Sequence, residues 1–585
     1  MEKGKKRVSN LLFYTKMKKS KYILLILLWS KLVVGQNPLY IPPAISGTTF
    51  SLNIQNGITQ FFPGVNTPTY GINGPLLAPT LIVNKWDTVT MNVTNNLTGF
   101  GNSTTIHWHG LHVPPEDDGG PHQVIPQGTT WSPEFEILNT AGTFWYHPHG
   151  DNKTDLHVSR GIAGMLIIKD STESALTLPR TYGVDDFPVI VQSKAFDILT
   201  QIAISTEMDT TICVNGTVHA FLDAPAQVIR LRLLNGSSSR VYNFGFTANL
   251  SFKMIASDGG LLDSAISMNR LRLAPGERAE ILLDLQGMAG QTINLVSFSS
   301  EFQNGIYGAA TVTGPLGGTI PDYDLNPLNG ADFGILQLNI GSPTGNPVTT
   351  MPTALATNTP WTGYTVSRNF NLLPDTMMSP VGQVEGPFNI NGAHFDMGII
   401  NETVYLNDTE KWRITNNTGI AHPFHIHDVQ FYLLNVNGNA VPLHERGQKD
   451  VVLVLPQQYV EFITKFENFA NDTIPYMYHC HMLHHVDEGM MGSFRVVDTT
   501  LLSLNPLDIE SGISVFPNPF TDLLHINTDN QEKISIKIFN VLGDLVYSSD
   551  YFIHHQIETG FLSKGLYFLQ INSNKSYFTK KIIKE

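Results

Sequence analysis

Cysteine is nearly absent from this chain of 585 residues, which contains only Cys213 and Cys480. That count excludes a structural zinc site of four thiolates. Charged residues are also sparse, at 15% of the sequence, and no long stretch repeats apolar residues at the helical period of about 3.6 residues. A mainly helical protein is therefore not expected. Cys213 is expected to be a buried or spare thiol.

Glycine and proline are plentiful, with 49 and 34 residues, and short runs of Val, Ile, Thr, Phe and Tyr recur along the chain. This composition predicts an all-β fold class, because β-branched and aromatic residues suit strands while glycine and proline suit the turns between them. The length is too great for one core and predicts roughly three to five domains.

A hydrophobic run long enough to cross a membrane is missing too. The apolar run Tyr22–Trp29 is much shorter than the ~20 residues of a membrane span. Lysines precede it, and a plausible cleavage point follows at Gly35-Gln36. Residues 1–35 are therefore predicted to be a signal peptide. The mature protein is expected to be exported and to have no stable membrane span.

Basic residues are in deficit. The net charge is −14, and it becomes −22 without the first 35 residues, which hold nine of the 36 Lys and Arg but only one acidic residue. A chain this acidic is a poor candidate for binding nucleic acid. The acidity indicates solubility rather than a partner.

Three segments, which we call the first, middle and third copies, share one strand-turn-strand pattern. In each copy an alternating strand ends in a turn and a second short strand follows. The paired strands are 87–96 with 106–109, 228–236 with 241–244, and 410–417 with 422–427. The repeats predict three Greek-key β domains, over residues 45–172, 185–315 and 386–502, with a long connection over 316–385.

Histidine pairs of the form His-X-His occur four times. They are His107/His109, His147/His149, His425/His427 and His479/His481. Residues two apart in a strand face the same side, so each pair presents two imidazoles to one place. The middle copy has Tyr242-Asn243-Phe244 in the matching position and is predicted to be a spacer without ligands.

The second cysteine lies among metal-ligand residues. Cys480 stands between His479 and His481, and His485 and Met490 follow. A thiolate, two histidines and a distant axial methionine form a blue copper electron-transfer site, so one further histidine must come from elsewhere in the chain. Because strand neighbours point to opposite faces, Cys480 can bind one metal while its two neighbours reach toward others.

The eight imidazoles of the four pairs suggest a cluster of three metals, at about two to three nitrogens each. Imidazole suits copper, zinc and iron alike. The adjoining thiolate site favours copper. Zinc has no redox chemistry, so it could not use electrons that Cys480 passes to its flanking histidines.

With these motifs the chain resembles the three-domain multicopper oxidases of the laccase kind, a bacterial group that includes spore-coat laccases and cuprous oxidases. The resemblance covers residues about 45 to 500 and all four motifs. It implies three cupredoxin-like domains and four copper ions. The implied ligands are His422, Cys480, His485 and axial Met490 for the type 1 copper, His107 and His425 for the type 2 copper, and His109, His147, His149, His427, His479 and His481 for the type 3 pair.

The resemblance also implies the reaction. A small reducing substrate would give electrons one at a time to the type 1 copper through an exposed edge of His485. Cys480 and its flanking histidines would pass them to the cluster, where dioxygen becomes water.

The residues expected to supply protons match the family pattern less completely than the metal ligands do. Asp118 matches a family acid near the cluster and is the expected proton relay. Many bacterial relatives have Glu directly after the second type 1 histidine, whereas this chain has Val486. Asp487 and Glu488 are the alternatives in the same stretch.

The end of the chain resembles a different family. The motif Pro517-Asn-Pro-Phe520, the run that starts at Gly565 and the lysine-rich end are similar to the sorting domain of Bacteroidetes type 9 secretion cargo. The resemblance implies a small β-sandwich over residues 510–585, the secretion machinery as a partner, and a secreted or cell-surface protein that passes through the periplasm. The alternative is a generic β-sandwich appendage.

Three other functions fit the motifs less well than the laccase-like one. Cuprous oxidases often have a Met-rich insertion near the type 1 site, whereas Met377, Met378 and Met397 are scattered here, which favours an organic donor over cuprous or ferrous ions. Copper nitrite reductase needs only one further copper, and the four His-X-His pairs argue against it. A non-catalytic copper carrier does not need a thiolate joined to a three-metal cluster.

Overall fold

The computed structural model describes residues 37–99, 102–314, 318–375, 384, 386–499, 513–528, 534–551, 555–573 and 577–585. The predicted signal peptide and both Met377 and Met378 lie outside these ranges. Strands dominate the described residues and the few helices are short, so the predicted all-β fold class is confirmed. The chain divides into two compact units, one that ends at Val497 and one that covers Asp498–Glu585.

The first copy consists of two sheets that share one apolar core. One sheet contains, in spatial order, Ala44–Ser46, Thr80–Asn84, Gly164–Lys169, Gly142–His147 and His107–His109. The other contains Val65–Ile72, Thr49–Phe62, Thr88–Asn95, Thr130–Trp131 and Glu134–Glu136. Every second residue of Thr88–Asn95 is buried, as a strand with one core-facing side requires. Trp108 and Phe144 are fully buried in this core.

The middle copy is also built from two sheets. The six-stranded sheet contains Asn37–Pro38, Ala220–Pro225, Asp332–Gly341, Thr292–Phe298, Tyr242–Phe246 and Leu271–Leu273. The eight-stranded sheet contains Thr217–Val218, Thr211–Val214, Asp186–Phe196, Val228–Asn235, Arg278–Asp284, Phe252–Ser257 and Gly260–Met268, with Ile202–Ala203 paired to Asp186–Phe196. The strand Val228–Asn235 is buried along its whole length.

The third copy repeats the arrangement with two five-stranded sheets. One contains Phe388–Ile390, Val366–Pro374, Thr409–Asn416, Tyr459–Lys465 and Phe431–Val436. The other contains Glu402–Tyr405, Met491–Val497, Tyr476–Cys480, His422–Ile426 and Val451–Val454. Trp412 and Phe424 are fully buried between the two sheets, and Cys480 belongs to the same core.

Residues 316–385, predicted to be a connection, contain two strands of the neighbouring copies. Asp332–Gly341 pairs in parallel with Ala220–Pro225 in the middle copy. Val366–Pro374 pairs in parallel with Thr409–Asn416 in the third copy. Each also pairs antiparallel with a nearer strand, Thr292–Phe298 and Phe388–Ile390 respectively. The Pro-, Gly- and Thr-rich residues around both strands resemble a loop when read alone.

The second unit is a small β structure with its own core. A three-stranded sheet contains Ile513–Phe516, Leu523–Thr528 and His555–Glu558, and a four-stranded sheet contains Leu545–Tyr551, Ile534–Asn540, Gly565–Ser573 and Tyr577–Lys584. Leu524, Ile538 and Leu569 are fully buried in its core.

Helices are few and short in the part of the chain that the structure describes. There the α-helices are Thr154–Ser159, Ser171–Ser174 and Leu483–Asp487, and the 3-10 helices are Thr247–Asn249, Ser299–Glu301, Tyr323–Leu325 and Leu443–Glu445. Among the described residues, no helix has the length and apolar character needed to cross a membrane.

Candidate metal centre

The histidine pairs of the first copy lie on adjacent strands. His107–His109 pairs antiparallel with Gly142–His147, and His107 lies directly opposite His147. His149 follows the end of the second strand, where its backbone N–H donates to Oγ1 of Thr105 at 2.7 Å. Strand pairing therefore brings both His-X-His pairs of this copy to one place.

The third copy presents its pairs in the same way. His422–Ile426 pairs antiparallel with Tyr476–Cys480, so that His425 lies opposite His479 and Phe424 lies opposite Cys480. His427 and His481 directly follow the ends of these strands. The described residues of Tyr242–Phe246 in the middle copy carry no histidine at the matching position.

All twelve predicted ligands are buried. None has more than 3% of its surface exposed; they are His107, His109, His147, His149, His422, His425, His427, His479, Cys480, His481, His485 and Met490. Buried polar groups are costly unless they find a partner. The arrangement of their ring nitrogens therefore shows what partner the site can accept.

One triad joins two histidines of the first copy to one of the third. Nδ1 of His109 lies 3.3 Å from Nε2 of His147 and 3.3 Å from Nε2 of His481. Nδ1 of His147 donates to the carbonyl of Pro148 at 2.9 Å, so Nε2 of that ring keeps a lone pair. Unprotonated nitrogens that face each other at this distance suit a shared cation.

A second triad has the opposite composition, one histidine from the first copy and two from the third. Nε2 of His479 lies 3.0 Å from Nε2 of His149 and 3.3 Å from Nε2 of His427. Nδ1 of His479 donates to the carbonyl of Cys480 at 2.8 Å, which again leaves Nε2 as the free lone pair.

His107 and His425 form a third group beside the triads. Nδ1 of His107 donates to the carbonyl of Asp118 at 2.9 Å, and Nδ1 of His425 donates to the carbonyl of Asp450 at 2.8 Å. Their Nε2 atoms are buried without a hydrogen-bond partner. Two partnerless lone pairs in a buried site fit a metal ion, and His427 brings a third nitrogen within 4.8 Å of them.

Burial favours the neutral form of seven of these imidazoles. Burial and the neighbouring histidines hold the pKa well below the usual range for His109, His147, His149, His425, His479 and His481. The pKa of His427 is lowered to about 4 by burial and by His107, against the opposing effect of Asp118. Neutral imidazole is the form that binds a metal.

Asp118 lies behind two of these histidines. Its Oδ2 atom is 2.8 Å from Nδ1 of His427, and its Oδ1 atom is 3.4 Å from Nδ1 of His107. Burial alone would raise the pKa of this carboxyl, but His427 and His107 outweigh burial and lower it. Asp118 therefore orients both imidazoles as an acceptor, His427 through its carboxylate and His107 through its backbone carbonyl.

A second carboxylate, which the sequence did not indicate, contacts the triad that Asp118 does not. Asp450 is fully buried, and its Oδ1 atom is 3.1 Å from Nε2 of His109. Arg278 of the middle copy donates to the same carboxylate from both terminal guanidinium nitrogens, at 2.5 and 2.7 Å. The middle copy, predicted to be a spacer, thus reaches the histidine cluster.

Cys480 forms a separate group with two histidines. Its Sγ atom lies 3.5 Å from Nδ1 of His422 and 3.6 Å from Nδ1 of His485. Burial raises the pKa of the Cys480 thiol, so a thiolate at this position needs a cation beside it. Burial lowers the pKa of His422 to about 3, which leaves that ring neutral. One thiolate with two imidazoles is a donor set that fits copper.

Three further hydrogen bonds define the Cys480 group. The backbone N–H of Met490 donates to the carbonyl of His485 at 2.8 Å, and the N–H of Cys480 donates to the carbonyl of Met490 at 3.1 Å. These bonds hold the fully buried Met490 beside both residues. Oγ1 of Thr418 lies 2.9 Å from Nε2 of His422 and fixes the orientation of that ring.

His485 does not present the exposed edge that the sequence predicted. Only 3% of its surface is exposed. Its ring packs against Phe388, with centroids 4.9 Å apart, and against His484, with centroids 4.1 Å apart. Phe388 is distant in sequence, so this cover could not be anticipated from the stretch around Cys480.

The carboxylates near Val486 do not face the histidine cluster. Val486 packs with Met477, Met491 and Phe395 in an apolar group. Asp487 accepts the backbone N–H groups of Thr154 and Asp155, at 2.8 and 2.9 Å, at the start of the helix Thr154–Ser159.

Glu488 does not reach the cluster either. Its Oε2 atom lies near the backbone of Gly386. Among the described carboxylates of this stretch, neither therefore reaches a cluster histidine.

Cys213 is fully buried in the middle copy, far along the chain from every predicted ligand. Burial raises its pKa to about 11, which describes an inert thiol.

The family models that match the chain cover both ligand-bearing copies and its end. A model described as multicopper oxidase matches residues 53–173, and another of the same description matches residues 367–500. A model described as secretion system C-terminal sorting domain matches residues 514–585.

Individual relatives extend over the middle copy as well. A multicopper oxidase of Staphylococcus haemolyticus is 36% identical over 77% of this chain and 88% of that protein. A protein of Photorhabdus laumondii described as cell division protein FtsP is 32% identical over 79% of this chain and 93% of that protein. Among solved structures, a laccase-like multicopper oxidase of Ochrobactrum sp. has a TM-score of 0.67 at 30% identity and covers 79% of this chain and 100% of that chain.

These matches span the sheets and the buried histidine groups described above. The chain therefore belongs to the multicopper oxidase family, copper-dependent oxidoreductases that act with oxygen, and it ends in a secretion sorting domain.

Proposed function

We propose that the protein is a laccase-like oxidase that takes electrons from an organic donor near Cys480 and reduces dioxygen to water at the histidine cluster. One observation carries the proposal. The neighbours of Cys480 belong to different triads, His479 to one and His481 to the other, while the thiol itself faces His422 and His485. A single tripeptide thus joins three groups of metal-binding atoms.

The ligand groups support a particular distribution of copper. His422, Cys480 and His485 would hold the type 1 copper, with Met490 as its axial ligand. His107 and His425 would hold the type 2 copper through their partnerless Nε2 atoms. The two triads would hold the type 3 pair, with His109, His147 and His481 on one ion and His149, His427 and His479 on the other.

The chain itself supplies the route between donor and cluster. When bound, copper would accept electrons singly and make four of them available to dioxygen. The covalent path from Sγ of Cys480 runs through its backbone to both neighbouring histidines. The bond from Nδ1 of His479 to the carbonyl of Cys480, 2.8 Å long, shortens one branch of that path. Burial of every cluster histidine excludes bulk water from the route.

Asp118 is the proposed proton relay. It contacts one histidine of the type 2 group and one of a type 3 triad, and its Oδ1 atom is buried without a hydrogen-bond partner. That oxygen can hold a proton for reduced oxygen without breaking the bond to His427. Asp487 and Glu488, directed elsewhere, do not share this role.

An organic donor is proposed over a metal ion. The Ochrobactrum relative is described as having oxidase activity towards lignin model compounds and lignosulfonate. The scattered methionines of this chain agree with a donor that gives its electron without binding to thioether sulfur. Since His485 is buried behind Phe388, such a donor would transfer its electron across a ring contact rather than through a direct bond to the metal.

Paired measurements of turnover test the proposal. Oxidation of a phenolic donor and of cuprous ion would each be followed in air and under argon. We expect phenol oxidation only in air, with a larger kcat/KM than for cuprous ion. Equal phenol oxidation under argon would overturn the oxidase proposal. A larger kcat/KM for cuprous ion would replace the organic donor by a metal donor.

The site of action is proposed from the sorting domain. Residues 514–585 match a secretion sorting domain, which indicates export. We propose that the secretion machinery recognises this domain and that the oxidase acts outside the cell or at its surface.

A further inference from the structure

We infer that Asp450, clamped by Arg278 of the middle copy, determines which ring nitrogen His109 presents to the metal. This inference rests on the proposed copper ligation and goes beyond it, because Asp450 and Arg278 are not ligands. Both would be positioning residues for one half of the type 3 pair.

His109 differs from the other members of the two triads. It faces His147 and His481 with Nδ1, whereas both partners face it with Nε2. In the second triad all three rings converge through Nε2. A neutral imidazole has one N–H and one lone pair, so His109 can be a ligand here only when its proton is on Nε2.

The side chain of Asp450 accounts for that tautomer. Its Oδ1 atom is 3.1 Å from Nε2 of His109. Both oxygens of this carboxylate accept hydrogen bonds from Arg278, so Asp450 acts as an acceptor and the contact requires Nε2–H on the imidazole. The lone pair is then left on Nδ1, which faces the triad.

Arg278 holds the carboxylate of Asp450 in place. The guanidinium donates to both carboxylate oxygens, from Nη1 to Oδ1 at 2.5 Å and from Nη2 to Oδ2 at 2.7 Å. Both side chains are fully buried. A two-pronged arginine contact fixes the plane of a carboxylate more firmly than a single bond does.

Arg278 also ties the three copies together at this point. It lies at the start of the strand Arg278–Asp284 in the middle copy, and its Nε donates to the carbonyl of Thr143 in the first copy at 3.1 Å. Asp450, its carboxylate partner, belongs to the third copy. Gly276 of the same turn has φ +86 and lies so close to His481 that a Cβ there would be 2.9 Å from the ring.

The backbone of Asp450 has the opposite effect on a neighbouring ring. Its carbonyl accepts Nδ1–H of His425 at 2.8 Å, which directs Nε2 of His425 inward. The rings of His109 and His425 stack with centroids 3.8 Å apart. Asp450 therefore directs Nδ1 of His109 and Nε2 of His425 towards the metal site. Substitution of the Asp450 side chain changes only the orientation of the proton on His109, because the contact with His425 is made by the backbone.

Copper binding by variants of the full protein tests the inference. In Asp450→Asn an amide replaces the acceptor-only carboxylate, and we expect cluster copper to bind about 10–100-fold more weakly. The blue absorption of the Cys480 group should stay unchanged. Arg278→Lys keeps the buried positive charge but cannot bind both carboxylate oxygens as the guanidinium does. It should show the same weakening of copper binding at the cluster, with the blue absorption unchanged. Gln430→Met removes one longer hydrogen bond to Asp450, at 3.3 Å, together with the bonds of this side chain to Gly110 and Asn139, and should bind copper as the unaltered protein does.

Each result separates this inference from the proposed function. If the unaltered protein does not bind copper at the cluster, the proposed function fails. If the unaltered protein binds copper at the cluster, and Asp450→Asn and Arg278→Lys bind it equally well, only the positioning role of Asp450 and Arg278 is overturned.

A measurement on the unaltered protein tests the inference even if the variants do not fold. Neutron diffraction from deuterium-exchanged, copper-loaded crystals should place a deuteron on Nε2 of His109, toward Asp450. A deuteron on Nδ1 would overturn the inference.

Discussion

The Sγ atom of Cys480 lies 3.5 Å from Nδ1 of His422, although 58 residues separate them in the chain. Antiparallel pairing of the strands His422–Ile426 and Tyr476–Cys480 brings the two together. The same pairing sets His425 opposite His479, so one strand pair builds part of both metal groups. The Cys480 group and the histidine cluster are therefore held at a fixed separation by backbone hydrogen bonds.

Replacement of Cys480 by serine should remove the blue absorption and reduce donor oxidation to the background rate. The hydroxyl of serine does not provide the soft ligand that the type 1 copper needs, and the covalent route for electrons is lost. Absorption spectra and donor turnover measure both effects.

Cys213→Ser is the matched control for that change. Cys213 is equally buried but lies in the middle copy, so the blue colour and the activity should be retained. Full blue colour in Cys480→Ser, or its loss in Cys213→Ser, would contradict the ligand assignment.

Met490→Leu should keep the blue colour and raise the reduction potential of the type 1 copper. Met490 is fully buried beside Cys480 and His485, and leucine fills nearly the same volume without a sulfur donor. Loss of a weak axial donor destabilises the oxidised metal. A redox titration followed by the blue absorption would measure the shift, and a lowered potential would count against an axial role.

Asp118→Asn should lower kcat by about 10–100-fold while most of the copper is retained. The amide can still accept a hydrogen bond from His427, but it cannot take up and release a proton. Donor turnover and copper per chain, measured on one preparation, separate loss of proton transfer from loss of metal.

Asp117→Asn is the control for the adjacent carboxyl. Burial and the nearby Glu116 raise the pKa of Asp117 to about 6, so it is the obvious alternative acid. Its replacement should leave kcat unchanged. A larger loss of kcat in Asp117→Asn than in Asp118→Asn would move the relay to Asp117.

The ligand residues could be predicted from sequence because strand periodicity is local. Two histidines separated by one residue share a face wherever the strand lies, and Cys480 between two histidines must face away from both. Asp118 was accessible only through family resemblance. The structure adds its contacts with His107 and His427, which come from different copies.

Asp450 and Arg278 could not be predicted from single motifs, because their roles depend on contacts between copies. One signal was present in the repeats. Arg278 follows Pro275-Gly-Glu at the position where the third copy has Tyr459 after Pro456-Gln-Gln. A charged residue among apolar strand positions indicates a buried partner, but that partner, Asp450, is 172 residues away.

The two strands within 316–385 cannot be predicted from local sequence for a related reason. Each pairs in parallel with a distant strand and antiparallel with a nearer one, and local composition does not reveal the parallel pairing. The cover over His485 by Phe388 likewise depends on a tertiary contact.

Removal of residues 499–585 should separate export from catalysis. The first compact unit ends at Val497 and contains every proposed ligand, so the shortened protein should bind copper and oxidise donors as the full chain does. In a host with the matching secretion system it should remain in the periplasm, as immunoblots of cell fractions would show. Equal amounts of full-length and shortened protein outside the cell would contradict a sorting role.

Dioxygen uptake during donor turnover is the most direct check on an electron route from Cys480 to the histidine cluster. With copper-loaded protein and a one-electron phenolic donor, we expect four donor molecules to be oxidised for each dioxygen consumed, without hydrogen peroxide. A ratio of two, with peroxide accumulating, would contradict reduction of dioxygen to water at this cluster.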